Sequence, residues 1–512
     1  MTVERTGTPI EPDDLTLDAI RDGQLRGRAV TVLGLARSGI ALTRFLADAG
    51  ARVTVYDGRS AGELERGIAA LEGRAVRLLL GPAIDPADAW TDAALIATSP
   101  SINPDFPTTE PRLRAALAAV AASRASGGRD APAIVSEVDL FLRLCPAATI
   151  GVTGTKGKTT TTALAHALLA TDSGHPAVIG GNIGLPLVER LSELTPDSRV
   201  VIELSELQLP TLSCGTTVAV YTNVTADHLD RHGSLAAYRR VKRRLAELVD
   251  PAGALVLNAD DPVVASYATN APTRVAWYGL GPPRSGGLGL AGERIVARGF
   301  AALDGSAVAD GPLADVAELR IPGRHNVANA MAGAAAALLF GVEPAAMRAA
   351  LAAFPGVEHR LEVVATIDGV RFVNDSQGTQ PDAVAAAVRA FEAPIVLIAG
   401  GRGKDVDLAP LAPIVAERVA AAVLIGETAG ELARLFGDAG LERIERAGSL
   451  EAAVEAAEVI ARDLRPPGAP ATVLLSPAAA SFDMFVDYEA RGRAFKAAVA
   501  EVAARRGPGG ER

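Results

Sequence analysis

The sequence predicts an α/β protein of three domains in tandem, the middle one a doubly wound sheet carrying a phosphate-binding loop. Three observations carry that expectation. Short apolar runs of strand length alternate with helical patterns along almost the whole chain, which is how parallel sheets are written. The glycine-rich segment Gly151-Val-Thr-Gly-Thr-Lys-Gly-Lys-Thr159 stands between one such run and a helical pattern. The chain's 512 residues, 49% hydrophobic and 21% charged, suffice for roughly two to four domains with cores of their own.

In chain order, Ala29–Leu33 reads as a strand, Gly34-Leu-Ala-Arg-Ser-Gly39 as a tight turn and Ile40–Ala49 as a helix. Arg52–Asp57 follows as a second strand ending on an acid, the opening of a Rossmann-like unit. Only two of the three fingerprint glycines are there, so the dinucleotide signal is weak. Ala93–Ala97 is a further strand running into the loop Ser99-Pro100-Ser101. The Gly/Ser/Arg-rich stretch Ala122–Pro132 reads as a linker, which sets the first domain at residues 1–132.

The second domain is expected at residues 133–356. Its strands are Thr149–Thr153, Val200–Leu204, Val218–Asn223 and Ala254–Asn258, with helices over Lys158–Leu169 and Leu235–Val249. The Gly/Pro-rich segment Gly279–Gly292 reads as an insertion or surface loop. A boundary at Phe354-Pro355-Gly356 leaves residues 357–512 as a second Rossmann-like domain. There Asp368-Gly369 marks a two-residue hairpin between Leu361–Ile367 and Val370–Val373. Strands Ile395–Ala399, Ala421–Ile425 and Ala471–Leu475 then alternate with helical stretches.

Composition removes several function classes. A net charge of −10 argues against nucleic acid, and no basic stripe interleaved with aromatics opposes that. No uncharged apolar run reaches the roughly 20 residues that span a bilayer, and residues 1–20 lack a basic, apolar leader pattern. Two cysteines, Cys145 and Cys214, fit a reducing compartment and ordinary packing. A cytoplasmic protein, monomeric and bound to neither nucleic acid nor membrane, is the expectation.

Only five of the 50 basic residues are lysines. In a chain that has drifted so far toward arginine, surviving lysines are candidates for chemistry that needs a compact charge or a modifiable amine. Lys156 and Lys158 lie in the glycine loop, Lys242 follows Asn223-Val-Thr-Ala-Asp-His228, and Lys404 ends Gly400-Gly-Arg-Gly-Lys404. Lys496, on the C-terminal helical pattern, has no evident task.

The loop Gly154-Thr155-Lys156-Gly157-Lys158-Thr159 is the strongest motif. Its glycines let backbone N–H groups turn onto phosphate oxygens, with the next helix's N-terminus adding its dipole. Lys158 is placed to reach the β- and γ-phosphates and the Thr159 hydroxyl a Mg²⁺ ion. Glu203 and His228 fall at or just past strand ends of the same sheet, where a carboxylate and an imidazole suit a second Mg²⁺. No Ser-His-Asp or reactive-Cys arrangement accompanies them.

The ordered motifs resemble those of the Mur ligases along nearly the whole chain. They are Gly34–Gly39 with Asp57, the Thr-Gly-Thr-x-Gly-Lys-Thr loop, Gly180-Gly-Asn182-Ile-Gly184, Glu203-Leu-Ser-Glu-Leu-Gln208 and Asn223–His228 with Lys242. Gly323-Arg-His-Asn326-Val-Ala-Asn329, His359-Arg360, Asn374-Asp375-Ser376 and Leu475-Ser-Pro-Ala-Ala-Ala-Ser481 complete them. The likeness is strongest to the branch that adds glutamate to UDP-N-acetylmuramoyl-L-alanine in making peptidoglycan precursor.

That resemblance implies an ATP-dependent ligase with two Mg²⁺ ions and an acyl-phosphate intermediate. It makes the first domain a uridine diphosphate site rather than a dinucleotide site, with Ser38, Asp57, Gly58, Arg59 and Ser101 at matching positions. Asn182, Ser205 and Gln208 match further contacts to that substrate. Lys242 matches a lysine carbamylated in the family, which with Thr159, Glu203 and His228 completes the metal set. Asn326, Asn329 and Asp375 fall on the nucleotide, and Arg360 on the transferred phosphate. Thr379, Lys404, Ser481, Phe482 and Tyr488 fall on the incoming glutamate.

Two departures bear on the reading. Gln377 and Gly378 replace the Lys-Ala of the usual Asn-Asp-Ser-Lys-Ala-Thr, which bears on whether D- or L-glutamate is used. Glu206 replaces a small polar residue after Ser205. The alternatives are another Mur or folylpolyglutamate-type ligase, a nicotinamide dehydrogenase fused to a phosphate-loop domain, and a non-catalytic scaffold. The dehydrogenase lacks its third glycine, and a scaffold has no use for Glu203, His228 and Lys242 together.

Overall fold

The computed structural model describes residues 8–506 other than 108, 129, 227, 228, 322, 404 and 405, and leaves out the side chains of 229 and 230. Its α/β architecture rests on three sheets in two compact units. The first unit is Met1–Leu319 with Arg324–Phe354, the second Arg320–Gly323 with Pro355–Arg512.

The first sheet is wholly parallel. Strands β1 (Ala29–Leu33), β2 (Arg52–Asp57), β3 (Arg77–Leu80), β4 (Leu95–Thr98) and β5 (Ala133–Ser136) lie in the order β3-β2-β1-β4-β5. Strand β1 is buried along its whole length because neighbouring strands and helices cover both its faces. The turn after it is set by a close approach. Gly39, inside helix Arg37–Asp48, lies so near the Gly34 carbonyl that a Cβ would sit 1.8 Å from that oxygen. Helix Pro111–Ala125 takes up the first residues of the stretch whose composition suggests a linker, and β5 follows to close the sheet.

The second sheet, in the same unit, runs β14-β13-β12-β11-β10-β9-β6-β8-β7. Its strands are β6 (Ala148–Thr153), β7 (Ala177–Gly181), β8 (Arg199–Glu203), β9 (Val218–Tyr221), β10 (Ala254–Asn258) and β11 (Arg274–Tyr278). Strand β12 (Gly287–Ala291) joins β11 in parallel, and β13 (Arg294–Arg298) and β14 (Gly311–Asp315) extend the edge antiparallel. Strand β12 corrects the reading of Gly279–Gly292 as a surface loop. Glycine content suggested a loop, but Gly-Leu-Gly-Leu has period two and buries Leu288 and Leu290. One apolar cluster spans both sheets of this unit, from Val30, Leu42 and Val55 to Leu187, Ile202 and Tyr221.

In the second unit, β15 (Glu362–Ile367) and β16 (Val370–Asn374) form the antiparallel hairpin that Asp368-Gly369 foretells. With β17 (Ile395–Gly400), β18 (Ala421–Ile425), β19 (Ile444–Arg446) and β20 (Ala471–Leu475) they make the order β15-β16-β20-β17-β18-β19. Helices Leu450–Leu464 and Tyr488–Arg506 cover one face through Val454, Ile460, Phe495 and Val499. No helix of the described residues is long and apolar enough to cross a membrane.

Candidate active site

The phosphate-type loop leaves the C-terminal end of β6 and enters helix Lys158–Leu169 through Gly157, whose φ of +85° is left-handed. A Cβ there would lie 2.5 Å from Asn329 Oδ1, so only glycine lets the loop lie against helix Arg324–Leu339. The segment after β9 clamps the loop from the other side. Asn223 O accepts from Thr155 N at 2.7 Å, and Asn223 Nδ2 and Thr222 Oγ1 donate to Lys156 O at 2.9 and 2.6 Å. Lys156 itself is exposed and Thr159 buried. The Lys158 amine curls back over the loop and donates to Gly154 O at 3.2 Å and Thr155 O at 2.8 Å. Thr161 Oγ1 donates to Asn329 Oδ1 at 3.3 Å, and Asn329 Nδ2 to Asn326 Oδ1 at 3.1 Å. The loop and the two asparagines are thus one assembly.

Glu203 ends β8, the strand beside β6, with Val152 as its register partner. It is 2% exposed. Asn182 Nδ2 donates to its Oε1 at 2.8 Å, while Oε2 is buried and accepts no hydrogen bond among the described residues. A buried carboxylate oxygen without a partner is costly, and a divalent cation is the kind of group that offsets the cost. Lys242 is fully buried on helix Leu235–Leu248; its Nζ donates to Thr153 Oγ1 at 3.3 Å and lies 5.5 Å from the Tyr238 ring centroid. The residues present fit Mg²⁺: hard oxygens from Thr159 and Glu203, with Lys242 one turn from the phenol that touches the loop. His228, expected in the same set, lies outside the described residues.

In the first sheet, Asp57 closes β2 almost buried. It accepts from Leu35 N at 2.9 Å, from Arg59 N at 3.0 Å, and from the Arg59 guanidinium at 3.1 and 2.8 Å. Burial works to raise the Asp57 carboxyl, but the Arg59 and Leu35 hydrogen bonds outweigh it and hold it below the ordinary value. Gly58 lies between them. Ser38 is on the first turn of helix Arg37–Asp48, and Ser101 pairs with Ser99 across 3.1 Å. Beyond β8, Ser205 N and Oγ both donate to Gln208 Oε1 at 2.9 Å. Glu206, the departure, is buried and paired with Arg231 at 3.2 Å.

In the second unit, Arg360 lies between two residues in the left-handed region, His359 (φ +63°) and Leu361 (φ +46°). Leu361 N donates to Asp375 Oδ1 at 3.2 Å and Ser476 Oγ to Oδ2 at 2.6 Å. Burial nevertheless raises Asp375 to about 6, against the pull of Ser476 and Arg360. Ser376 Oγ donates to Tyr488 O at 2.8 Å, and Thr379 N to Gln377 O at 2.8 Å. Gln377 Oε1 is buried without a partner among the described residues. Ser481 is buried and Phe482 is 64% exposed. Lys404 lies outside the described residues.

Several residues that organise these sites were assigned no role from the sequence. Arg491 is 1% exposed and donates to Ser376 Oγ and O at 3.0 Å, and to Ala479 O and Ala480 O at 3.2–3.3 Å. Lys496, which had no evident task, is bonded to Glu358 at 3.0 Å and Glu362 at 2.7 Å on either side of His359. Glu137, buried after β5, accepts from Val188 N at 3.1 Å. Tyr221, Tyr238 and Tyr278, three of only six tyrosines, crowd behind the phosphate loop; their rarity was a signal of the same kind as that of the lysines. Cys145 and Cys214 are free, and burial pushes their thiols up to about 11 and about 12, which suits packing rather than nucleophilic chemistry.

Residues 152–337 match the family model of the Mur ligase middle domain, and residues 359–479 that of the Mur ligase glutamate ligase domain. The chain is 38% identical to a UDP-N-acetylmuramoylalanine--D-glutamate ligase of Symbiobacterium thermophilum, over 93% of this chain and 98% of the relative. It is 39% identical to the enzyme of that name from Anaeromyxobacter dehalogenans, over 94% and 99%. The crystal structure of UDP-N-acetylmuramate-alanine ligase MurC from Thermotoga maritima shares the fold, with a TM-score of 0.54 at 17% identity over 93% of this chain and 99% of that one.

Proposed function

The chain belongs to the Mur ligase family, and from that premise we propose that it joins D-glutamate to UDP-N-acetylmuramoyl-L-alanine at the expense of ATP in peptidoglycan precursor synthesis. One observation carries the reading: a glycine cradle for phosphate and a buried, half-partnered carboxylate stand at adjacent strand ends of one parallel sheet. Relatives named for the D-glutamate reaction match 93–94% of the chain and favour the D-amino acid despite Gln377.

The reaction divides into two displacements. An oxygen of the substrate's terminal carboxylate attacks the ATP γ-phosphorus, the bond to the bridging oxygen breaks, and ADP leaves. The glutamate amine then attacks the resulting acyl phosphate, loses a proton, and expels inorganic phosphate from the tetrahedral intermediate. The loop amides of residues 154–159 and the Lys158 amine hold the triphosphate and offset charge on its oxygens. Thr159, Glu203, His228 and carbamylated Lys242 would hold two Mg²⁺ ions, which when bound neutralise phosphoryl charge. Asn326 and Asn329 orient the nucleoside. In the second unit, Asp375 is assigned to the nucleotide and Arg360 to the transferred phosphate. Thr379, Lys404, Ser481, Phe482 and Tyr488 are assigned to the amino acid.

Asp57, Gly58 and Arg59, with Ser38 and Ser101, take the uridine diphosphate end; Asn182, Ser205 and Gln208 take the part nearer the reacting carboxylate. The protein acts as a monomer in the cytoplasm. The deciding measurement is phosphate release from ATP with UDP-N-acetylmuramoyl-L-alanine and either enantiomer of glutamate. Release that requires both the muramoyl substrate and D-glutamate is expected; equal release without the muramoyl substrate overturns the assignment, and preference for L-glutamate overturns the stereochemistry.

A further inference from the structure

Tyr221 is the last residue of β9 and fully buried. Its hydroxyl donates to the carbonyl of Lys242 at 2.7 Å and accepts from the amide of Ala246 at 2.8 Å. Those two groups, four residues apart on helix Leu235–Leu248, are the pair that the helical ladder joins directly. The phenol therefore reaches from the sheet into the helix at the residue whose amine carries the proposed chemistry.

The other end of that lysine is tied to the same place. Thr153 on β6 is the register partner of Tyr221 on β9. Paired residues of neighbouring strands point to one face, so both side chains reach the helix. Thr153 Oγ1 accepts from Lys242 Nζ at 3.3 Å and donates to Leu204 O at 2.8 Å. One cross-strand pair thus fixes Lys242 at its backbone and at its tip. The phenol is itself braced, by the Tyr267 ring edge-on at 5.0 Å and by Tyr278, whose hydroxyl donates to Tyr221 O at 2.8 Å. Tyr238, one turn before Lys242, bonds Thr155 Oγ1 of the phosphate loop at 3.0 Å.

We propose that Tyr221 is a positioning residue for the ligation, holding the Lys242 turn of the helix at the depth where its modified amine meets the phosphate loop. The proposal rests on the reading of Lys242 as the carbamate-forming residue. Removing the hydroxyl leaves Lys242 O and Ala246 N free to bond each other, so the Phe variant loses the tether without orphaning either group.

The experiment compares wild type, Tyr221→Phe, Thr153→Val and Lys242→Arg. It measures kcat and KM, thermal melting, and the ¹³C carbamate resonance after equilibration with labelled bicarbonate. Tyr221→Phe should melt within a few degrees of wild type and keep its KM for ATP within about twofold. Its kcat should fall by about ten- to a hundredfold, the scale of a misplaced reacting group. Its carbamate resonance should weaken at fixed bicarbonate and recover as bicarbonate is raised. Thr153→Val, cutting the other tether, should give the same signature and serves if the Phe variant does not fold. An inactive Lys242→Arg beside tether variants of wild-type kcat and resonance overturns the role of Tyr221 alone. An active Lys242→Arg, or no carbamate resonance in wild type, overturns the reading of Lys242 and the positioning role with it.

Discussion

Asn182 Nδ2 donates to Glu203 Oε1 at 2.8 Å, which orients the carboxylate and leaves its buried second oxygen without a hydrogen bond among the described residues. The bond joins the ends of neighbouring parallel strands, since Gly181 and Glu203 are register partners. Glu203→Gln keeps the shape and removes the charge. A buried carboxylate with one oxygen unpartnered carries a stability cost, so the Gln variant should melt at or above the wild-type temperature without Mg²⁺. Wild type should gain melting temperature on adding Mg²⁺ with a non-hydrolysable ATP analogue, and Glu203→Gln should not. Its turnover should fall at least about a hundredfold, the scale of losing a transition-state electrostatic contact. A variant stabilised by Mg²⁺ as wild type is would remove Glu203 from the metal set.

Asp57 and Arg59 predict a different kinetic pattern. The carboxylate organises the turn by accepting from Leu35 N and three Arg59 donors, yet it lies in the first sheet and not at the phosphate loop. Asp57→Ala should raise KM for the uridine substrate by about tenfold or more, as expected for about 1.4 kcal/mol or more of lost binding. KM for ATP and for glutamate should stay within about twofold. A rise shared by all three substrates would indicate general damage instead.

Arg491 underlies the expected amino-acid site. Its buried guanidinium bonds the hydroxyl and carbonyl of Ser376 and the carbonyls of Ala479 and Ala480. Burial lowers it to about 10, against the attraction of Asp483, so it stays charged near neutrality. Arg491→Leu should destabilise the chain by roughly 2–4 kcal/mol in urea unfolding, because it leaves buried acceptors unpaired. Arg491→Lys should recover only part of this, since an ammonium cannot span the same acceptors. In the Lys variant KM for glutamate should rise more than KM for ATP; equal rises would assign Arg491 to stability only.

What could be read from the sequence was whatever repeats or punctuates. Glycine and strand-length runs marked the turn at Gly34–Gly39, the loop at Gly154–Thr159 and the hairpin at Asp368-Gly369, because each depends on neighbours in the chain. Tyr221 depends on Lys242, 21 residues away, Arg491 on Ser376, 115 away, and Lys496 on Glu358, 138 away. Arg491 was also hidden among many other arginines. Strand β12 was obscured because glycine suggests a loop by composition even where its alternation with leucine is that of a strand. Lysine scarcity pointed to Lys158 and Lys242, but Lys496 shows that a rare residue can also survive for a structural ion pair.

Glu137 yields a prediction whose sign follows from its surroundings. It is 3% exposed, accepts from Val188 N, and faces the charges of Arg37 and Glu189. Burial dominates and raises its carboxyl from 4.5 to about 7. The native state thus binds this proton more tightly than the unfolded chain. The group's contribution is favourable at low pH and is lost as pH climbs from about 4.5 to about 7. His166 and His359 act in the opposite sense, because burial lowers both and the unfolded chain takes their protons first. Glu137→Gln separates the two effects: its amide oxygen still accepts from Val188 N, it does not titrate, and both histidines are untouched. The stability of the Gln variant relative to wild type, from urea unfolding at matched pH, should therefore rise by on the order of 2–3 kcal/mol between pH 5 and pH 8. A difference that stays flat over that interval would mean that Glu137 is ionised in the folded protein throughout.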